Sequence, residues 1–129
     1  MKHKYPPGLS DSSLEALYRR AVLVRFDYKC GHCGKGGGEM QVHHPVHRRC
    51  RVLKYDWRNG IPAHKGECHE QINLYGIQVP QLQPYWDYLR LMARKTLKAH
   101  LFEIGMSDAE FRGWTKAALQ AELAAVGRA

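Results

Sequence analysis

From residue 30 to residue 69 the chain reads CGHCGKGGGEMQVHHPVHRRCRVLKYDWRNGIPAHKGECH. Cys30 and Cys33 stand two residues apart, and two thiolates at that spacing grip one metal ion from a tight turn. A second pair further along closes the tetrahedron. His64 and Cys68 flank one turn and offer that pair, with Cys50 as the alternative fourth ligand. The ion that four such donors suit is zinc. Left over are His43, His44 and His69, imidazoles that bind a divalent cation when neutral and accept a proton near neutral pH.

The same stretch predicts its own secondary structure. Gly34, Gly36, Gly37 and Gly38 form a flexible turn that lets Cys33 reach a metal before Met40-Gln41-Val42-His43 starts a short strand. A phosphate-cradling glycine loop is the rival reading, but no strand precedes the run and no Gly-Lys-Ser/Thr follows it. Adjacent strand residues point to opposite faces, so His43 and His44 serve one site only if the strand ends there. Pro45 supplies the ending, because it cannot donate to a ladder and restricts the residue before it. Leu53-Lys54-Tyr55 and Ile61-Pro62-Ala63 suggest a second, irregular strand. Cys68 to Ile72 begins a short helix whose first turn aims His69 back at the His43-His44 end.

The segments QVHHPVHRR (41–49), DWRNGIPA (56–63) and ECHEQI (67–72) together resemble the HNH endonucleases, the zinc-bearing branch of the ββα-metal nucleases. The resemblance covers residues 28–74. It implies an α+β fold: a small ββα-metal finger with a structural zinc, flanked by an N-terminal helix and a C-terminal helical pair. The zinc ligands would be Cys30, Cys33, His64 and Cys68. Members of that family usually carry a second Cys-x2-Cys before the last His; here the element reads His64-x3-Cys68, so either His64 replaces a thiolate with one inserted residue or Cys50 supplies the fourth ligand.

Residue by residue, the resemblance implies a function: metal-dependent hydrolysis of DNA phosphodiester bonds. His43 and His69 match the ligands of a catalytic Mg2+ or Mn2+, and His44 matches the general base that activates water. Asn59 matches the residue whose side chain bonds backbone and keeps loop and base in register, although Asn59-Gly60 also reads as a tight turn. Two other functions stay open: a zinc-stabilised nucleic-acid-binding module that does not cut, and a zinc hydrolase of a small substrate using His43, His44 and His47. His47 is otherwise an accessory phosphate contact, and Tyr55 and Trp57 either stack on nucleotides or belong to the core.

Charge agrees with a polyanionic partner. Twenty Lys and Arg against twelve Asp and Glu give a formal net charge of +8 over 129 residues, enough chain for one domain with a modest core. Much of the excess lies beside the candidate site, as Arg48, Arg49, Arg51, Lys54 and Arg58, in reach of phosphates flanking a scissile bond. The opening MKHKYPPG carries no apolar run of the signal-peptide kind and no later stretch is long enough to span a membrane, which predicts an intracellular, cytoplasmic protein in which cysteines bind metal rather than form disulfides. A mobile-element or phage accessory role suits a compact member of the family.

Outside the finger the chain reads as helix, within a single domain over 1–129. Ser12-Ser13-Leu14-Glu15 offers a capping box, and Leu14, Leu17, Tyr18, Ala21 and Val22 follow at helical spacing, predicting a helix from about Ser13 to Arg25. Over 80–126 a helical extension is expected. Tyr85, Tyr88, Leu89, Met92, Leu97 and Leu101 predict one long helix to Gly105, with Arg90, Arg94, Lys95 and Lys98 as its basic side; Ser107-Asp108-Ala109-Glu110 caps another bearing Phe111, Trp114, Ala118 and Leu123.

Overall fold

A computed structural model describes residues 5–75 and 79–126. Among them are five α-helices and one two-stranded antiparallel sheet, a small α+β arrangement. Helix α1 (Asp11–Arg25) buries Leu14, Tyr18, Ala21 and Val22, one stripe at helical spacing, and each such side chain removed from water is worth about 1.5–3 kcal/mol. The helix starts two residues earlier than the Ser12 capping box predicts. Ser10 takes the extended backbone of an N-cap and its Oγ accepts from Ser13 N–H (3.3 Å), leaving Asp11 in the first turn where a negative charge favours the helix dipole.

After α1, Asp27 and Tyr28 adopt left-handed backbone (φ 55° and 56°) and turn the chain sharply into the cysteine knuckle. That knuckle is a closed turn. Lys29 bridges Gly36, Cys30 N–H donates to the Lys35 carbonyl (3.0 Å), and Gly34 sits at φ 73°, where a side chain would be strained. Gly31 N–H donates to the Pro62 carbonyl (2.7 Å) and so fastens the knuckle to the sheet.

Strands β1 (Met40–His43) and β2 (Ile61–His64) pair with Met40 opposite His64 and His43 opposite Ile61. The second strand is shorter than expected. Leu53-Lys54-Tyr55 forms turns, with Leu53 N–H on the Cys50 carbonyl and the Leu53 carbonyl taken by the Asn59 side chain, so no edge remains there for β1 to pair with. Helix α2 (Glu67–Tyr75) follows β2 directly, completing a strand–strand–helix unit. Ile61, Ala63 and Ile72 from this unit enter the same buried cluster as Leu14, Tyr18, Val22 and Phe26.

The expected long second helix is broken. A 3-10 segment (Pro80–Tyr85) leads into α3 (Trp86–Ala93), and α4 (Leu97–Ile104) restarts after a turn at Arg94–Thr96. Thr96 causes the restart: its backbone is extended and its Oγ accepts from Ala99 N–H (3.2 Å), offering the chain a new N-cap in place of continued helix. Helix α5 (Asp108–Val126) begins with the expected capping box, in which Ser107 Oγ accepts from Glu110 N–H and Glu110 Oε1 accepts from Ser107 N–H, each at 3.1 Å.

The last helix packs on α1 rather than only on its neighbours, through Leu119 and Leu123. Buried Arg112 clasps α5 to the segment that enters α1, donating to the Leu9 carbonyl and to Asp11, each at 2.9 Å, and lying 3.7 Å over the Tyr5 ring. At the other end Arg25 pairs with Glu122 and sits 4.5 Å over Trp57. Trp57 and Tyr55 are therefore packing residues: Trp57 meets Tyr85 edge-on, and Tyr55 is buried with its hydroxyl on Asp11. No helix of the described residues is long and apolar enough to cross a membrane.

Candidate metal and catalytic site

The hairpin register places two histidine-bearing centres at opposite ends of a four-residue ladder. His64 stands at the knuckle end opposite Met40 and His43 at the far end opposite Ile61, three strand steps or about 10 Å away. Helix α2 serves both. Cys68 and His69 are successive residues of its first turn, and the first belongs to the knuckle, the second to the far end.

At the knuckle, the ligand atoms of Cys30, Cys33, His64 and Cys68 all lie within 4.8 Å of one another. His64 Nδ1 is 3.3 Å from the Cys33 sulfur and 3.9 Å from the Cys68 sulfur, near the edge of about 3.6 Å that zinc–sulfur and zinc–nitrogen bonds of about 2.3 and 2.1 Å produce in a tetrahedron. The other ring nitrogen is already engaged: Nε2–H donates to the Gly37 carbonyl (2.7 Å), which fixes the tautomer with Nδ1 free for metal. Burial pushes the Cys30 thiol up, but the backbone N–H groups of Cys33, His64 and His32 around its sulfur outweigh that and hold it down to about 6. Desolvation and the Cys30 and Cys33 sulfurs push Cys68 the other way, up to about 11. Such a donor set, with Cys30 a ready thiolate and Cys68 a thiol that gives up its proton on loading, can hold a zinc ion. Cys50 stands apart from it, its thiol directed at the Met92 carbonyl (3.6 Å), so His64 completes the set.

At the far end His43 and His69 meet edge to face, ring centres 5.1 Å apart. Burial, then the charges of His69 and His44, lowers His43 to about 4, so it is neutral and ready to ligate at pH 7. His44 is held on both sides. Its ring stacks on Tyr18, centres 5.0 Å apart with 22° between planes, and Nε2 lies 3.1 Å from the Lys54 carbonyl. A carbonyl only accepts, so Nε2 carries the proton and Nδ1 is the basic atom. Burial keeps His44 below the ordinary histidine value; Arg48 and His47 act in the same direction, against the Lys54 carbonyl and Glu15.

Compared with protein-family models, curated proteins and solved structures, the chain matches none.

Asn59 is fully buried and spends its side chain on the loop that follows His44. Its Oδ1 accepts from Val46 N–H (2.8 Å), and its Nδ2 donates to the Val46 and Leu53 carbonyls (2.9 and 3.2 Å). This pins both ends of the 46–53 loop, the segment carrying His47, Arg48, Arg49 and Arg51. Arg48, Arg49 and Arg51 are exposed, and Lys54 is partly so. Arg58 is differently placed: it is turned inward, bonded twice to Asp56 (2.9 and 2.8 Å) and lying 3.8 Å over the Tyr88 ring.

Two residues that the sequence places only in the first helix, Tyr18 and Glu15, stand at the site. Tyr18 carries the His44 ring and also donates its hydroxyl to the Asn59 carbonyl, so one buried side chain touches both. Glu15, one helical turn before it, shares a cleft with His44, Asp11, Arg48, Lys54 and Tyr55. The only trace of either in the sequence is that both lie on one face of α1. Neither His43 nor His69 lines that cleft, so His44 looks onto the α1 side while the other two face each other.

Proposed function

We propose that the protein is a metal-dependent endonuclease of the HNH kind that hydrolyses DNA phosphodiester bonds, its finger stapled by zinc at Cys30, Cys33, His64 and Cys68. The observation that carries this reading is the meeting of His43 and His69, from a strand end and a helix start, beside a third histidine whose tautomer leaves Nδ1 basic. Two imidazoles bound at about 2.1 Å to one cation put their ring centres roughly 4.5–5.5 Å apart, and the observed 5.1 Å fits. His43 and His69 would hold Mg2+ or Mn2+. Such an ion, when bound, supplies charge for the phosphate and the departing oxygen.

The chain's own groups do the rest. His44 takes the proton of the attacking water at Nδ1, while its Nε2–H stays on the Lys54 carbonyl and the ring stays on Tyr18. Asn59 keeps the 46–53 loop in register with that ring. Arg48, Arg49, Arg51 and Lys54 hold neighbouring phosphates, and Arg58, committed to Asp56, contributes through packing.

One observation favours a second reading, a nucleic-acid-binding module that does not cut: the cleft of His44 is walled by α1 and not by His43 or His69. Metal analysis joined to plasmid nicking decides. One tightly held zinc with nicking that requires added Mg2+ or Mn2+ supports the nuclease; zinc with DNA binding and no nicking supports the module.

A further inference from the structure

The break between α3 and α4 sets a second basic wall opposite the loop that carries Arg49 and Arg51. The turn at residues 93–97 faces the loop after His44 across an open cleft of about 580 Å³, into which His47, Arg49 and Arg51 project from one side and Arg94, Lys95 and Thr96 from the other. Among the described residues no carboxylate lines it. Lys95 is partly neutralised by Glu103 (2.5 Å), which leaves Arg49, Arg51 and Arg94 as the uncompensated charges.

Both walls are built rather than loose. On one side Asn59 clamps the loop and Cys50 N–H donates to the His47 carbonyl (2.9 Å); on the other Lys95 N–H donates to the Met92 carbonyl (3.0 Å), and the Cys50 thiol reaches that same carbonyl (3.6 Å) to tie the walls together. The N-terminus of α4 opens at this cleft, with Thr96 at the cap, and the positive end of a helix dipole adds to the field.

We propose that this cleft binds the phosphodiester backbone of the strand being cut, a short distance from the scissile bond. The inference rests on the nuclease reading for the position of that bond. His47 follows His44 by three residues, at most about 10 Å of extended chain, which corresponds to about three nucleotides at a rise of 3.4 Å. Phosphate contacts of this sort position the duplex and carry no base preference. The helix break at Thr96 thus has a role: it sets the N-terminus of α4 at the cleft beside Arg94.

The test compares the zinc-loaded wild type with Arg94→Ala, an exposed position on the wall that only this cleft adds, checked by thermal melting for unchanged stability. Affinity for a labelled 20-base-pair duplex is measured across a salt series without catalytic metal, and single-turnover nicking of saturating plasmid is measured with Mg2+. The slope of log affinity against log salt should fall by about one unit, roughly 0.9 for the one lost contact, equally for unrelated sequences, while the saturated nicking rate is retained. An unchanged slope overturns the cleft and leaves the nuclease reading standing. A reduced slope in a wild-type background that never nicks keeps the cleft and overturns the nuclease. A wild type that binds no duplex overturns both.

Discussion

Tyr18 joins His44 to Asn59: its ring lies 5.0 Å from that of His44 while its hydroxyl donates to the backbone carbonyl of Asn59. The two contacts are separable. Tyr18→Phe keeps the stack and loses the hydrogen bond, leaving a carbonyl unpaired, and should lower stability by about 1–3 kcal/mol with nicking largely kept. Tyr18→Leu frees His44 as well and should slow nicking by roughly 10- to 100-fold beyond any effect on folding. Thermal melts alongside single-turnover nicking separate the two effects; equal nicking by both variants would show that the stack does not orient the base.

Zinc should be folding free energy in this chain. A finger of this size closed by four ligands gains on the order of 10 kcal/mol of apparent binding free energy, so strong chelation should unfold it. Cys33→Ser should lose both metal and thermal stability, whereas Cys50→Ser, whose thiol faces Met92, should lose neither. Because Cys68 holds its proton up to about 11 without metal, zinc uptake should release protons, and apparent affinity should rise from pH 6 to pH 8. Metal content and proton release on titration check both statements.

Gly60 is where the finger meets α1. A Cβ there would lie 2.4 Å from Val22 Cγ2 and 2.8 Å from the Tyr18 hydroxyl, and the backbone at φ −153° is open to any residue, so the cost is purely one of space. Gly60→Ala should destabilise by about 1–3 kcal/mol. Denaturant unfolding measures it, and a neutral result would mean that α1 and the finger do not pack as described.

His69→Ala should weaken binding of the catalytic cation while leaving zinc content unchanged, since His69 faces His43 and not the knuckle. Excess Mn2+ should restore part of its nicking activity. Isothermal titration with Mn2+ and zinc quantification read the two sites independently.

How much of this was legible in the sequence depended on whether the determinant was local. Cys30, Cys33, His64 and Cys68 were readable because ligand spacing around two turns is a local property, and so was the Ser107–Glu110 box. The strand Met40–His43, ended before Pro45, was readable on the same ground. Tyr18 was not, because a tyrosine on a core stripe looks the same whether or not a histidine from another element stacks on it. The break at Thr96 escaped since the apolar spacing of α3 continues across it and only a capping side chain interrupts the backbone. A charge count places Arg58 with the candidate phosphate contacts, because it does not reveal the carboxylate two residues away that claims it.

The central claim is that His44 Nδ1 activates the attacking water, and single-turnover plasmid nicking over a pH series tests it most directly. Burial already holds His44 below the ordinary histidine value, and a cation bound nearby would lower it further, so the wild-type rate should rise with pH through a group titrating below that value. His44→Ala should retain zinc and DNA binding, lose at least about 100-fold in rate, and lose that titration. A His44→Ala protein that nicks at the wild-type rate with the same pH profile would contradict the mechanism.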